Sequence, residues 1–355
     1  MKVLFIARAT LYSSWGGDTV QIEKTAENLR KLGVHVDIGL TNDTFDYDFY
    51  DIIHFFNIIR PSDIIYHAKK ARKYVISTIF VDYEEYERKQ GTLLKKIFRK
   101  FFGKNNLEYL KTIARALLNG EKIKSKEYLF WGHEKSVKKV IKNAAALLPN
   151  SENEAKRLEK TFGKINIPVF KITNGIEIIP DIEPNEKFKD SIICIGRIEG
   201  RKNQLNLIKA ANALPYKFYI IGQHSPNHKN YYKICRRIAK SNIEFIEHLP
   251  QKEIFSIMKS AKVHALVSWF ETTGLVSLEA AYYGCNIVVS DKGDQKEYIE
   301  DNGFFCDTAS VDSICQAIKK AHQAPFNQSF KNYIAENYTW EKAAEQTLAV
   351  YKTVL

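Results

Sequence analysis

No apolar run in this 355-residue chain approaches the ~20 residues of a membrane span, so no membrane-crossing helix is expected. The opening Met1-Lys-Val-Leu-Phe-Ile-Ala7 is too short for a signal peptide and reads as a first buried strand. Cysteine is scarce and unpatterned. Cys194, Cys235, Cys285, Cys306 and Cys315 are odd in number and lack any Cys-x-x-Cys spacing. Core thiols in a reducing cytoplasm are therefore expected, rather than a disulfide framework or a zinc site. The nine histidines make no metal motif either. His224 and His228 have helical spacing, but Pro226 between them argues for a loop. There is no short-period repeat and no low-complexity tract.

Charge is present in excess and in one place. Between Arg88 and Lys142 stand 16 Lys/Arg against 4 Asp/Glu, a surplus equal to the whole net charge of +12. Such localisation suggests an anionic partner for one surface. Within it, Leu93, Leu94, Ile97, Phe98, Phe101 and Phe102 form one helical stripe flanked by cations. That is the pattern of an interfacial helix on anionic lipid, where each cation contributes roughly 1 kcal/mol. A core-facing helix with a basic outer face is the structural alternative. Nucleic acid is a weaker one, because no nucleic-acid-binding motif accompanies the charge.

The length favours two domains. In the first half, apolar strands alternate with helical spacing. Val3–Ala7, Val34–Leu40, Asp51–Phe56 and Tyr74–Val81 read as strands, with a helix over Asp18–Leu32 stopped by Gly33. A second series starts near Ser191 with Ile192–Gly196, then Lys217–Gly222, Ile243–Ile246, Val263–Val267 and Asn286–Ser290. This alternation predicts α/β units with parallel sheets, which bind ligands at the carboxyl ends of their strands. Asp181–Asp190, between Pro180 and the second series and rich in charge, is the expected linker. The expected division is 1–180, 181–335 and a last helix in 336–355.

The most informative stretch is Ser268–Gly284. Glu271 and Glu279 bracket a turn from a strand into a helix, separated by seven residues. Free N–H groups at Gly274 and Leu275 make a ready anion site. Glu279 lies about 7–8 Å further along the axis, close to the span from a diphosphate to the ribose of its nucleotide. Gly196-Arg197-Ile-Glu-Gly-Arg-Lys202 occupies another strand-to-helix turn, where Arg197 and Lys202 can converge on one diphosphate. Cations are disfavoured at a helix start, so something anionic should compensate them. The turn Ser14-Trp15-Gly16-Gly17-Asp18 follows the first strand, and its glycines let backbone approach a ligand without Cβ obstruction.

Together these turns resemble the retaining glycosyltransferases of the large family 4 (group 1) type. The signature of that family is this Glu, seven residues, Glu arrangement. The resemblance runs over nearly the whole chain, is strongest from Ile192 to Gly303 and is thinner from Tyr83 to Ala144. It implies the GT-B fold: two Rossmann-like doubly wound parallel-sheet domains facing a central cleft, with the last helix crossing back to the first domain. It implies Arg197, Lys202, Gly274, Leu275, Gly16 and Gly17 on the donor phosphates, Glu279 on the ribose, and the His248-Leu249 loop on the base. Glu271 then holds the transferred sugar. Asp82 stands where relatives carry a His, and is read as a sugar or acceptor contact or as a helix N-cap, with Glu84 and Glu85 as competitors. Asn203 departs from the family's usual Gly.

The resemblance further implies transfer of a sugar from a nucleotide-diphosphate donor, without cofactor or metal, to a lipid-linked or other membrane-associated glycan acceptor. The expected setting is bacterial surface polysaccharide synthesis (O-antigen or capsule), at the inner face of the cell membrane. The basic 88–142 segment would meet the lipid. Two other functions fit the same residues: a nucleotide-sugar epimerase, or a non-catalytic lipid- or nucleotide-binding protein.

Overall fold

A computed structural model describes residues 1–81, 108–114 and 122–355. Asp82, Glu84, Glu85 and the stripe 93–102 lie outside the described residues.

The chain forms two compact units. The first holds residues 1–80, the described part of 91–175 and Trp340–Leu355, and the second holds Val81 and Ile176–Thr339. In the first, β1 (Lys2–Ala7), β2 (His35–Leu40), β3 (Ile52–Phe56), β4 (Tyr74–Ser77) and β5 (Ala146–Leu148) form a parallel sheet ordered β2-β1-β3-β4-β5. β1 and β3 to β5 are buried almost throughout, which is why they read as unbroken apolar runs rather than alternating ones. β4 stops at Ser77, short of the expected Val81. Ile79 takes φ 43°, and the Phe80 N–H and Thr78 hydroxyl turn to the buried Glu154 carboxylate instead of a neighbouring strand. Glu154 belongs to the capping box Ser151–Glu154, whose Ser151 Oγ accepts the Glu154 N–H at 2.9 Å.

The closing helix Trp340–Val354 packs on the helix Gly17–Lys31 of the same unit. Tyr351, fully buried there, meets His54 Nδ1 at 2.6 Å, and His54 Nε2 meets Ser77 Oγ at 2.9 Å. Burial pushes the His54 imidazole down to about 3, so it is neutral in the folded chain.

In the second unit, β6 (Ile192–Ile195), β7 (Phe218–Ile221), β8 (Ile243–Ile246), β9 (Val263–Leu266), β10 (Asn286–Ser290) and β11 (Phe304–Cys306) are all parallel, in the order β11-β10-β9-β6-β7-β8. Side chains alternate faces, so each strand feeds two cores. Ile193, Ile195 and Val289 pack with Leu278 on one side, while Ile192, Cys194 and Val288 pack with Leu207 and Ile318 on the other. Cys194, Cys235, Cys285 and Cys306 are buried free thiols and Cys315 is half-buried.

The segment expected as a linker packs on the second unit. Ile182 and Phe188 are buried in the second unit's core, and Ser256 Oγ and Lys259 Nζ donate to the carbonyls of Glu183 and Ile182 at 2.6 and 2.5 Å. The units part at Gly175–Ile176 instead, and the return to the first unit begins at Trp340 rather than 336.

Candidate functional site

The turns singled out in the second half of the sequence all leave the carboxyl ends of β6 to β10. After β6, Gly196 N–H bonds Ile221 O and Ile198 N–H bonds Gln223 O, both at 2.9 Å, so the turns after β6 and β7 run side by side. Gly222, at φ +139°, lies so close that a Cβ on it would sit 2.2 Å from Gly196 O. Only glycine fits this approach, and it fixes where Arg197 begins.

The Arg197 side chain is exposed. Its backbone is held by Gln204, a fully buried residue whose Nε2 donates to Arg197 O at 2.9 Å and whose Oε1 accepts the Glu199 N–H at 3.3 Å. Glu199, itself 3% exposed, binds Arg201 Nη2 at 2.6 Å. Burial alone would raise its carboxyl, but the guanidinium of Arg201, then that of Arg197, and Lys202 outweigh this and hold it below the usual carboxylate range. The anion that compensates the cations of this turn is thus partly Glu199. Gln204 and Glu199 were not singled out from sequence, and nothing but their place beside the Arg–Lys turn could have flagged them.

Asn203, the departure from the family's glycine, sits at φ 58°, ψ 28°. The left-handed conformation explains the usual Gly, and Asn is the residue that next best tolerates it. Its Nδ2 donates to Val267 O at 3.1 Å and Thr308 O at 2.8 Å, so it also ties the end of β9 to the loop after β11.

After β9, Trp269 N–H bonds Arg201 O at 2.9 Å, joining this turn to the first. Lys202 Nζ then meets Glu271 Oε1 at 2.5 Å, with both side chains only partly exposed. Asp294 N–H holds Glu271 O from the turn after β10 at 2.8 Å. The chain enters the helix Leu275–Tyr283 through Gly274 at φ 67°, where a Cβ would fall 1.9 Å from Gln295 Nε2. The Ser277 and Leu278 N–H groups turn back to Gly274 O, and the N-cap carries no side-chain acceptor. Among the described residues no acceptor meets the Leu275 and Val276 N–H groups, which stand at the positive end of the helix dipole.

One turn and a little more along this helix is Glu279. It is half-buried by surface area, yet its surroundings and the nearby Glu177 push its carboxyl up to about 8. Glu177 was not singled out from sequence. His248 is exposed and Leu249 half-buried in the turn between β8 and the helix Gln251–Ser260.

The second unit therefore brings together Lys202, Glu271, Gly274 and Leu275, with Arg197 on the adjoining turn. Gly16 and Gly17 belong to the first unit. Gly16 is extended at φ −157° and begins the helix Gly17–Lys31, and a Cβ on Gly17 would meet nothing within 4 Å. Backbone conformation does not demand these glycines.

Residues 176–340 match the family model of glycosyl transferases group 1. The chain is 23% identical over 246 residues to the D-inositol 3-phosphate glycosyltransferase of Corynebacterium urealyticum, covering 61% of this chain and 58% of that protein. It is 25% identical over 174 residues to the O-antigen chain mannosyltransferase B of Escherichia coli, covering 45% of each. The chain thus spans about half the length of these curated relatives. The fold extends over the whole chain: the Anabaena protein HepE, solved in complex with UDP, superposes with a TM-score of 0.71 at 14% identity over 99% of this chain and all of that one.

Proposed function

We propose that this chain, whose second unit is a glycosyl transferases group 1 domain on a fold of two Rossmann-like parallel-sheet units, is a retaining glycosyltransferase using a nucleotide-diphosphate sugar. The observation that carries the reading is the meeting of two turns: Lys202 Nζ lies 2.5 Å from Glu271, beside a helix start with free N–H groups. When the glycosidic bond to the donor breaks, the diphosphate gains negative charge. Arg197, Lys202 and the Gly274–Leu275 amides are the fixed positive groups that stabilise it, so the cations take the role a divalent ion has elsewhere. Glu279 accepts hydrogen bonds from the ribose hydroxyls, and the His248-Leu249 loop borders the base. Glu271 positions the hydroxyls of the transferred sugar and steadies its positive character. Lys202, bonded to Glu271, then serves both phosphate and sugar.

Retention follows when the acceptor oxygen attacks from the face the diphosphate vacates. The new carbon–oxygen bond forms as the carbon–phosphate-oxygen bond breaks, and the leaving phosphate takes the acceptor proton. Gly16 and Gly17 supply the open turn of the first unit, and Asp82 supplies a polar contact to sugar or acceptor.

The acceptor class in this reading is a membrane-associated glycan of a bacterial surface polysaccharide, and its support is the O-antigen mannosyltransferase relative and the basic segment. In the described part of that segment Leu129 and Phe130 are exposed, Phe130 at 88%, and the surrounding sequence carries Lys122, Lys124, Lys126, Lys135, Lys138 and Lys139. Apolar and cationic groups together suit anionic lipid. No described helix is long and apolar enough to cross a membrane. Contact in this reading is peripheral, at the inner face.

The test is a screen of nucleotide sugars for protection against thermal unfolding, followed by transfer to a lipid-linked acceptor. Glu279→Ala should weaken nucleotide binding, and Glu271→Ala should mainly lower turnover. Donor interconversion without acceptor would favour an epimerase instead. Liposome binding without nucleotide binding would favour a lipid-binding protein.

A further inference from the structure

The turn after β10 packs against the turn that carries Glu271, and it does so at two separate places. The first is a backbone approach. Gly293 has φ +87°, and a Cβ on it would fall 2.3 Å from Glu271 O and 2.8 Å from Glu271 N. The next residue, Asp294, is buried and donates its N–H to the same Glu271 O at 2.8 Å. Glu271 precedes the helix Leu275–Tyr283, so helical bonding does not fix its backbone, and this approach does.

The second place is the short helix Gln295–Ile299. The fully buried Gln295 lays its amide where Gly274 lacks a side chain, a Cβ there falling 1.9 Å from its Nε2. That Nε2 donates to Ser277 Oγ at 3.3 Å, while among the described residues Gln295 Oε1 meets no partner. An unpaired buried acceptor is a cost, so this side chain is kept for its place against Gly274 rather than for its own bonding. Further along, Tyr298 Oη accepts the Thr273 hydroxyl at 3.3 Å, and Tyr298 O accepts the Tyr338 hydroxyl at 3.0 Å. Tyr298, Ile299 and Tyr338 belong to the core of the second unit, so the support is anchored there.

We propose that Gly293 and Gln295 are positioning residues that set the two ends of the donor site separately. Gly293 places Glu271 for the transferred sugar, and Gln295 places the Gly274–Leu275 amides for the diphosphate. The inference rests on the reading of Glu271 and the helix start given above, and adds how each is aimed. Asp294 and Gln295 are buried, and the Lys292 ammonium lies 3.5 Å from Asp291 Oδ1. The turn therefore acts through Glu271 and Gly274. Preorganised groups lose most of their effect when displaced by about 1 Å, which gives such a support its leverage.

The test uses the nucleotide sugar that best protects the wild-type protein in the thermal screen, beside the nucleoside diphosphate it contains. Gly293→Ala should lower kcat about a hundredfold, the scale of a misplaced reacting group, with diphosphate affinity within about threefold of wild type. Gln295→Ala should do the opposite. Diphosphate affinity and donor KM should weaken about tenfold, the scale of one hydrogen bond to a charged group, with kcat within about threefold. Gln295→Met keeps length and volume against Gly274 and should recover most of that affinity. Thermal melts report folding, and Gly293→Asn is the second variant, since Asn tolerates the left-handed backbone yet carries the same Cβ. If neither Gly293 variant folds, Gln295→Ala decides, because unchanged diphosphate affinity overturns the proposal. Folded variants that lose kcat and affinity in parallel, or lose neither, overturn the separate roles alone. A wild-type protein that no nucleotide sugar protects overturns the nucleotide-sugar reading, and this inference with it.

Discussion

Each unit has an arginine just after its first strand, and the two are used in opposite ways. In the first unit Arg8 is consumed by its own turn. Its guanidinium meets Asp18 at 2.7 and 3.2 Å, Thr10 O at 2.6 Å, Thr10 Oγ1 at 2.9 Å and Ser14 O at 2.6 Å. In the second unit Arg197 is exposed, and the nearby carboxylate of Glu199 is taken up by Arg201. The same position in the same kind of sheet thus holds a turn together in one case and presents a cation in the other. What decides is the location of the acid: Asp18 stands ten residues on, at the helix start facing back, whereas Glu199 is buried beneath its loop.

The largest effect expected from this contrast is on the cation. Arg197→Ala should lower kcat/KM for the donor by roughly two to three orders of magnitude, the scale of losing one preorganised donor to a developing anion. The protein should remain folded, since the side chain is exposed. Arg8→Ala should do the reverse. It leaves Asp18 and two carbonyls without their partner, at a cost of about 2 kcal/mol in the first unit, with nucleotide affinity changed less than about threefold. Steady-state kinetics beside urea denaturation separates the two. Equal losses of activity with no loss of stability would mean that both arginines face a ligand.

Glycines at the two turns differ likewise. Gly222→Ala places a methyl 2.2 Å from Gly196 O at a backbone angle L-residues avoid, so it should cost about 3 kcal/mol and lower nucleotide affinity by displacing Arg197. Gly17→Ala meets nothing within 4 Å and should cost less than about 1 kcal/mol. A fall in transfer rate for Gly17→Ala without a stability loss would show that a ligand approaches that turn.

Most strands and their parallel pairing could be read from apolar runs, because β1, β3 to β7, β9 and β10 are buried almost throughout. Of the helices, the first was marked by spacing and a punctuating glycine, and the last by its place after the second series. The turns at Gly196–Lys202 and Glu271–Leu275 were legible because cations, acids and glycines stand at fixed offsets from apolar runs. Gln204 and Glu177 were not: a buried amide and a loop acid carry no periodic signal, and their partners are set by neighbouring turns. The packing of Asp181–Asp190 is hidden for a similar reason. Charges on Asp181–Asp190 face out while Ile182 and Phe188 alone enter the core, and two apolar residues in ten look like a spacer. The short β11 and the helix Gln328–Asn337 fell below what local pattern resolves.

Acid should weaken both units, whereas the rise toward pH 8 acts on the second. His54 in the first unit and His264 in the second are held near 3, below their unfolded value, so folded chains bind fewer protons than unfolded ones below pH 6.5. Stability there is lost as pH falls from about 6.5 toward 3, by at most about 1.4 kcal/mol per unit for each. Glu279 in the second unit is raised to about 8, so its folded form binds more protons. That contribution is fully present below about pH 4.5 and lost as pH rises toward 8. Glu279→Gln should flatten the decline between pH 5 and 8 in thermal melts without nucleotide, and leave the acid limb unchanged. A decline that survives Glu279→Gln would assign it to another group.

The smallest effect expected concerns Asn203, which does for the second turn what side chains do for the first. There Thr19 Oγ1 accepts the Gly16 N–H at 3.2 Å and donates to Leu11 O at 3.2 Å. Here Asn203 supplies both the left-handed backbone and two bonds to Val267 and Thr308 carbonyls. Asn203→Gly keeps the backbone and loses the bonds, and should cost about 1 kcal/mol. Asn203→Ala loses both and should cost about 1 kcal/mol more, the penalty of the left-handed region. Urea titrations of the two variants order the contributions. A glycine variant more stable than wild type would mean that conformation alone selects this residue, and that the turn needs no tie to the loop at Thr308.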